Sequence, residues 1–129
     1  MAQTFTFELV SPEKVFLAGE AEQVLLPGSE GDMTVLPGHS PLISTLRPGV
    51  VDVALGGQKA RVFVRDAFVQ VEPERVTVLA EKAYEIADLA GSTLAVELSK
   101  AEADLAAAKS DDARRLAQHA VDSLSRLKA

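Results

Sequence analysis

The first two thirds of the chain are organised by an alternation of apolar and polar positions. In Thr4-Phe5-Thr6-Phe7-Glu8-Leu9, the apolar side chains fall on every second residue and therefore on one face of an extended segment. The same period of two recurs in Val51 and Val53, Val62 and Val64, Val69 and Val71, and Val76 and Val78. Because short alternating segments indicate half-buried strands, we predict an all-β region that ends near residue 84.

Turn-forming residues separate these segments. They are Ser11-Pro12, Pro27-Gly28, Pro37-Gly38, Pro48-Gly49, Gly56-Gly57 and Pro73. Proline lacks a backbone donor and glycine tolerates positive φ, so such pairs end strands and reverse the chain. Gly56-Gly57 is flanked by apolar segments and predicts a hairpin turn. Many short strands with regular turns favour a β-sandwich or a small barrel.

From about Asp88 the apolar period becomes that of a helix. One stripe is formed by Leu94, Leu98, Ala101, Leu105 and Ala108, and a second by Ala113, Leu116, Ala120, Leu124 and Leu127. Ser110-Asp111-Asp112 lies between them and predicts the start of a second helix, because these side chains accept hydrogen bonds from free N–H groups. We therefore predict a domain of residues 1–84 and an antiparallel helical hairpin of residues 85–129. Such a hairpin is marginally stable alone, so it must lean on the β domain or on a partner.

Composition narrows the classes of function. The net charge is -6, which repels a phosphate backbone and argues against nucleic-acid binding. The chain has no cysteine, which excludes disulfides and thiolate chemistry. It shows no secretory signal and no apolar run of the roughly 20 residues that span a bilayer, so we expect no direct membrane insertion.

Candidate catalytic residues are few. The two histidines, His39 and His119, are not at metal-ligand spacing. His39 and Ser40 are neighbours in an extended segment, where adjacent side chains point apart, so they do not form a nucleophile–base pair. Gly28-Ser29-Glu30-Gly31 is followed by no Gly-Lys-Ser/Thr and carries negative charge, so it does not predict a phosphate loop. We predict no catalytic residue, no metal and no cofactor.

Five segments agree in order and spacing with one known family. Residues 27–42, which read Pro-Gly-Ser-Glu-Gly-Asp-Met-Thr-Val-Leu-Pro-Gly-His-Ser-Pro-Leu, resemble the signature of bacterial F-type ATP synthase epsilon subunits. The segments 7–12, 14–16, 46–51 and 76–81 are similar to that family's other strands and turns. The resemblance implies a sandwich of about ten strands followed by a helical hairpin. It also implies a non-catalytic central-stalk subunit.

The resemblance implies partners as well. In this family one side of the sandwich packs against the gamma subunit, and its lower end rests on the polar loops of the membrane rotor ring of c subunits. The residues that match the ring contact are Ser29, Glu30, Gly31, Asp32 and His39. Ring loops in the family expose Arg and Gln, so acidic Glu30 and Asp32 would meet a complementary surface. An acidic loop that serves solubility alone is the alternative.

In the family the hairpin is a mobile regulatory element that folds against the sandwich or extends into the catalytic head and blocks ATP hydrolysis. Arg114, Arg115, Arg126 and Lys128 give the second helix a cationic surface that could meet acidic segments of the alpha and beta catalytic subunits. The alternative is that these charges only solvate the helix.

Some relatives bind ATP through a motif that reads roughly Ile-Asp-x-x-Arg-Ala at the start of the first helix. The corresponding Ala87-Asp88-Leu89-Ala90-Gly91-Ser92 keeps Asp88 but has Gly91 at the arginine position. We therefore predict no tight ATP binding, because the phosphate-binding charge is missing. Gly91 also lowers helix propensity and is a candidate hinge.

The implied location is the cytoplasmic face of the bacterial inner membrane, held there peripherally within the complex, and protons are the family's default coupling ion. One competing hypothesis is a free-standing β-sandwich binding module with a helical oligomerisation hairpin, which would need no gamma subunit. Another is a small hydrolase that uses His39.

Overall fold

The computed structural model describes residues 3–29, 31–89 and 91–128, and in them it shows seven strands followed by two helices. The strands are β1 (Phe5–Val10), β2 (Val15–Gly28), β3 (Gly31–Val35), β4 (Leu42–Leu46), β5 (Gly49–Leu55), β6 (Gln58–Glu72) and β7 (Arg75–Glu85). A short 3-10 turn (Ile86–Asp88) leads to α1 (Gly91–Ala107) and α2 (Asp111–Lys128). The predicted fold class, an all-β domain followed by a helical hairpin, is confirmed.

The seven strands belong to one hydrogen-bonded sheet that folds over on itself. β2 pairs with β1 through its first half and with β3 and β5 through its second half. β6 pairs with β5 through its first half, with β4 through its second half, and with β7 from Val62 to Glu72. The two longest strands therefore belong to both layers and join them.

The alternating positions fill the core between the layers. Phe5, Phe7 and Leu9 are at most 2% exposed, and each of the eight valines in the predicted pairs is at most 1% exposed. Full burial of a side chain of this size contributes about 1.5–3 kcal/mol. The predicted hairpin turn is also confirmed, since Gly56 and Gly57 both have positive φ and Leu55 pairs with Gln58 across them.

The number of strands differs from the expected ten because three strands, β2, β6 and β7, continue through local irregularities. Asp66 of β6 and Glu81 of β7 lie opposite each other and are left out of the ladder between the Arg65–Lys82 and Ala67–Ala80 pairs. Asp66 has a φ of 56°, in the left-handed region. Because each strand carries one extra residue here, its core-facing side chains change between even-numbered and odd-numbered positions.

That reversal explains the two valine segments of β6. Val62 and Val64 face the core from even positions, whereas Val69 and Val71 face it from odd positions. The sequence shows two separate segments, but the structure joins them in one strand of 15 residues. β2 undergoes the same change by a one-residue register shift between Ala21 and Gln23 in its pairing with β5.

The two helices form a hairpin that packs on the sandwich. As predicted, Ser110 caps α2, and the backbone N–H of Ala113 donates to Ser110 Oγ at 3.1 Å. Leu94 and Ala101 of α1 and Ala120 and Leu124 of α2 form one buried cluster together with Phe63 of β6 and with Leu89.

The predicted stripe on α2 is partly wrong. Leu116 is 43% exposed and Ala113 is exposed, whereas Ala117 is buried. The buried face of α2 is thus shifted by about one position from the predicted stripe, and it consists of Ala117, Ala120 and Leu124. Leu116 consequently stands at the edge of the helix–sandwich contact.

Candidate partner-binding surfaces and hairpin interface

The loop between β2 and β3 is a tight reversal that exposes three of the predicted ring-contact residues. Gly28 pairs with Gly31 across it, and a Cβ on Gly28 would collide with the Gly31 carbonyl oxygen. Gly31 has a φ of 140°, a conformation that favours glycine. Ser29, Gly31 and Asp32 are exposed, and Glu30 lies outside the described residues.

Arg47, which sequence reasoning missed, holds this loop in shape. Its Nη1 donates to the Gly28 carbonyl oxygen at 2.6 Å, and its Nη2 forms an ion pair with the carboxylate of Asp32. Its backbone N–H also donates to the Pro27 carbonyl oxygen at 2.9 Å. The negative charge of Asp32 is therefore already paired within the chain, so the loop is less acidic than its composition indicates.

His39 does not join the other predicted ring-contact residues. It lies in the turn after β3, where its backbone N–H donates to the Leu36 carbonyl oxygen at 3.2 Å and Gly38 N–H donates to the Pro73 carbonyl oxygen at 2.9 Å. Gly31 and Val35 are the two ends of β3, about 13 Å apart for an extended strand. The structure thus places His39 beside the β6–β7 turn, at the opposite end of β3 from Asp32.

The outer face of the β1–β7–β6–β4 sheet carries an apolar band. Val10, Leu79, Phe68 and Thr45 are successive cross-strand partners. Phe68 is 43% exposed and Leu79 is 37% exposed. The sequence contains the signal for this band, because Phe68 is out of phase with the buried Val69 and must therefore face outward.

The outer band, defined by Val10, Leu79 and Phe68, is bordered by carboxylates. A cavity of about 420 Å³ opens beside it and is lined by all three, together with Asp66 and Glu81. Both acidic side chains are exposed. The band is therefore an apolar surface with a negative rim.

Two charged side chains are buried where α1 meets the sandwich, and they are the buried polar or charged residues of the described chain. Arg65 of β6 is 9% exposed, and its Nη2 lies 2.5 Å from Asp104 Oδ2 of α1. Glu97 of α1 is 4% exposed and lies 3.9 Å from Lys82 Nζ of β7 and 3.3 Å from Lys100 Nζ. The docking of the hairpin thus combines apolar burial with ion pairs.

Tyr84 of β7 belongs to the same interface. Burial raises the pKa of the Tyr84 phenol above its ordinary value of 10.0, and the charge of Glu97 and a hydrogen bond to it raise that pKa further. The protonated phenol therefore belongs to the docked arrangement. Deprotonation would place a second negative charge beside Glu97 in a poorly solvated position.

The arginines predicted to contact the catalytic head differ in their surroundings. Arg114 and Arg115 are paired with Asp111 and Asp112 one helical turn away, at 3.2 and 3.1 Å, so their charges are locally balanced. Arg126 is exposed and lines a cavity of about 230 Å³ with Asp32, Arg47 and Arg61. The side chain of Lys128 lies outside the described part of the chain.

The degenerate ATP motif lies at the junction of sandwich and hairpin. Asp88 ends the 3-10 turn and is exposed, and Gly91 begins α1 with a φ of 59°. Gly91 is thus a left-handed residue that admits a sharp change of direction into the helix, rather than a weak point inside it.

Among residues 3–29, 31–89 and 91–128, no three His, Asp or Glu side chains are grouped so that they could hold a metal ion. Neither described helix combines the length and the apolar content needed to cross a membrane. The described residues thus present three surfaces suited to binding other proteins, namely a tight loop, an apolar band and an ion-paired hairpin.

Those surfaces, on a sandwich joined to a helical hairpin, are suited to binding other protein chains. Residues 4–86 match the family model for the ATP synthase delta/epsilon chain β-sandwich domain. The ATP synthase epsilon chain of Parvibaculum lavamentivorans is 44% identical over 129 residues, which cover 99% of this chain and 98% of that protein. The epsilon chain of Rhodospirillum rubrum is 41% identical and is aligned over 86% of this chain and 84% of its own length.

Solved structures agree on the fold. A chain of the Euglena gracilis mitochondrial ATP synthase, in an assembly of OSCP, F1 and c-ring, has a TM-score of 0.73 at 22% identity, over 96% of this chain and 79% of that chain. A chain of the Tetrahymena thermophila mitochondrial ATP synthase central stalk and c-ring has a TM-score of 0.71 at 9% identity, over 98% of each chain. The present chain belongs to the ATP synthase epsilon chain family, and as an epsilon chain it is a non-catalytic subunit of that enzyme.

Proposed function

We propose that this chain couples the rotor ring to the catalytic head by binding the gamma subunit through the outer band and the c subunits through the loop after β2. The observation that carries the proposal is the outer band on a sandwich whose core side chains are almost completely buried. A protein that transmits torque needs a stiff body and at least two contacts. The loop adjoins the band, because Ser29 hydrogen-bonds with Thr45, the cross-strand partner of Phe68.

The outer band fits a gamma contact because it is apolar at its centre and acidic at its rim. Phe68 and Leu79 are large side chains that would be desolvated on binding, as at the centre of protein interfaces. Asp66 and Glu81 would steer a basic partner surface towards them. The c-ring contact rests on Ser29, Gly31 and Asp32, with Arg47 holding the loop that presents them.

The hairpin, residues 85–129, is the regulatory part of this proposal. Its contact with the sandwich includes the Arg65–Asp104 pair and the Glu97 carboxylate, groups that are well hydrated when they separate. Buried ion pairs add little net stability relative to apolar packing, so such an interface can open reversibly. An opened hairpin would offer Arg114, Arg115, Arg126 and Lys128 to the alpha and beta subunits.

This function places the protein peripherally on the cytoplasmic face of the bacterial inner membrane, with protons as the coupling ion. Its attachment there would come entirely from the gamma subunit and the ring.

Truncation after Glu85 tests whether the sandwich binds the partners and the hairpin regulates ATP hydrolysis. We expect the shortened chain to assemble with gamma and the ring and to keep ATP synthesis coupled, while any restraint on ATP hydrolysis is lost. Phe68→Ala in the full chain should weaken assembly instead. If the truncated chain fails to join the enzyme, or if Phe68→Ala binds gamma as tightly as the parent, the assignment of roles is wrong.

A further inference from the structure

A second apolar groove, of about 520 Å³, lies between the docked hairpin and the end of the sandwich where β4 and β6 pair. The sandwich supplies Thr45, Leu46 and Phe68 to one side, and α2 supplies Ala113, Leu116 and Ala117 to the other. The Arg65–Asp104 pair lies within it. The groove is therefore shared between the two parts of the molecule, and the wall from α2 exists only while the hairpin is docked.

The two walls each carry a large apolar side chain that is open to solvent. Phe68 and Leu116 are both 43% exposed. Phe68 also belongs to the outer band, and it lines this groove as well as the cavity beside Leu79. The groove thus continues the surface that we assign to gamma, from the sheet onto α2.

Charge points to the chemistry of the occupant. Asp66 lines both cavities and Glu81 lines the one beside the outer band. Neither carboxylate belongs to an ion pair in the described residues. A segment with apolar side chains on one face and Arg or Lys beside them would fill the groove and pair with this rim.

We propose that the groove between Phe68 and Leu116 binds an amphipathic, basic-edged segment of the gamma subunit, so that gamma binds the docked form more tightly than the undocked form. This rests on the proposed contact of gamma with the outer band. A ligand that prefers one conformation shifts the population towards it, and the coupling is reciprocal. Binding of gamma therefore retains the hairpin on the sandwich, and undocking weakens the grip on gamma.

The test measures the affinity of the purified full-length chain for purified gamma subunit. Leu116→Ala is expected to weaken binding about fivefold, because about half of a leucine side chain remains to be buried by the partner. Leu116→Lys, which suits a solvent-exposed helix position, should weaken it further. Val96→Ala is the matched control, since Val96 is 51% exposed on α1 and does not line the groove; it should leave the affinity unchanged.

Amide hydrogen exchange supplies the second readout. Addition of gamma should slow exchange in α2 of the parent chain, and Leu116→Ala should reduce that protection without altering exchange in the free chain. If Leu116→Ala and Leu116→Lys bind gamma like the parent while Phe68→Ala binds weakly, the groove is not contacted and the present inference fails, although the outer-band contact stands.

Two other outcomes also decide the question. If neither Phe68→Ala nor Leu116→Ala changes a measurable affinity for gamma, both the inference and the proposed contact are wrong. If sedimentation shows that the chain forms a dimer that Leu116→Lys abolishes, the occupant of the groove is a second copy of the chain, and the inference is overturned.

Discussion

Replacing Asp104 by alanine leaves the guanidinium of Arg65 at the hairpin interface without its carboxylate. Arg65 is 9% exposed, so water compensates for the loss only partly. Loss of one partner from a fully buried pair costs about 3–5 kcal/mol, and exposed pairs contribute about 0.2–1 kcal/mol. Because the Asp104 side chain is 59% exposed, the expected cost lies between these ranges, near 2 kcal/mol. That corresponds to a docking equilibrium about 30-fold less favourable.

The chain carries its own reporter for this measurement. It has one tyrosine and no tryptophan, and that tyrosine, Tyr84, lies beside Glu97 at the interface. We expect its emission in a urea titration to show undocking at a lower urea concentration in Asp104→Ala. Amide exchange in α1 and α2 should accelerate in parallel, while exchange in the sandwich core stays unchanged.

Asp111→Ala is the matched control, because it removes a similar arginine pair from a fully solvated position. We expect it to shift docking by less than about 0.5 kcal/mol. Arg65→Met combined with Asp104→Ala should restore docking, since the buried charge has gone. If the double variant is as weakly docked as Asp104→Ala, or if Asp111→Ala has an equal effect, the ion pair does not hold the hairpin.

Three further predictions concern other parts of the molecule. The docked state raises the pKa of the Tyr84 phenol and therefore binds its proton more tightly than the undocked state. We expect docking to be fully favourable below pH 10.0 and to weaken as the pH rises through the higher pKa of the docked state. Amide hydrogen exchange in α1, measured as a function of pH, checks this. Asp66→Gly should stabilise the sandwich by about 1 kcal/mol and Asp66→Val should destabilise it by more, as measured by urea midpoint, because left-handed φ is costly for residues with a Cβ. Arg47→Ala should destabilise the sandwich by about 1–2 kcal/mol, because the loop loses two side-chain contacts. It should also accelerate amide exchange in residues 28–32 and weaken the coupling between the rotor ring and the catalytic head.

Each of these has its own comparison. Tyr84→Phe should remove the alkaline weakening, and an unchanged pH dependence would contradict a role for the Tyr84 proton. Equal stability of the glycine and valine variants at position 66 would mean that its backbone is not strained. Arg61→Ala is the comparison for Arg47, because the 3.8 Å contact of Arg61 with Asp52 is longer and the Arg61 side chain is more exposed than that of Arg47. A similar effect of both variants would contradict a specific role for Arg47.

Local pattern was enough to predict the class of the fold. Alternating valines, glycine–proline turns and the helical period depend on near neighbours in sequence. The structure confirms them except on α2, where Ala117 is buried and Ala113 and Leu116 are exposed. The count of strands was not accessible from composition, because the irregularity at Asp66 and Glu81 keeps the ladder going where polar residues suggest a break. A visible signal remains: core valines move from even positions at Val64 to odd positions at Val69.

The surfaces were less predictable, for a physical reason. Arg65 and Asp104 are 39 residues apart, and Arg47 and Asp32 are 15 apart, so their pairing depends on how whole elements pack. His39 is the opposite case. It lies close to Asp32 in the sequence motif, but β3 separates the two residues in space. Phe68 could be placed from its phase alone, and its exposure follows from the burial of Val69.

Three nearby side chains of β6 contact or face three different parts of the molecule. Phe63 reaches the helices, Arg65 reaches α1, and Phe68 faces the outside. Arg65 and Phe68 are three residues apart, and the left-handed Asp66 lies between them, before the pairing with β7 resumes at Ala67. A force applied at Phe68 is therefore carried to Arg65, where the hairpin is anchored, through one strand that changes direction at Asp66.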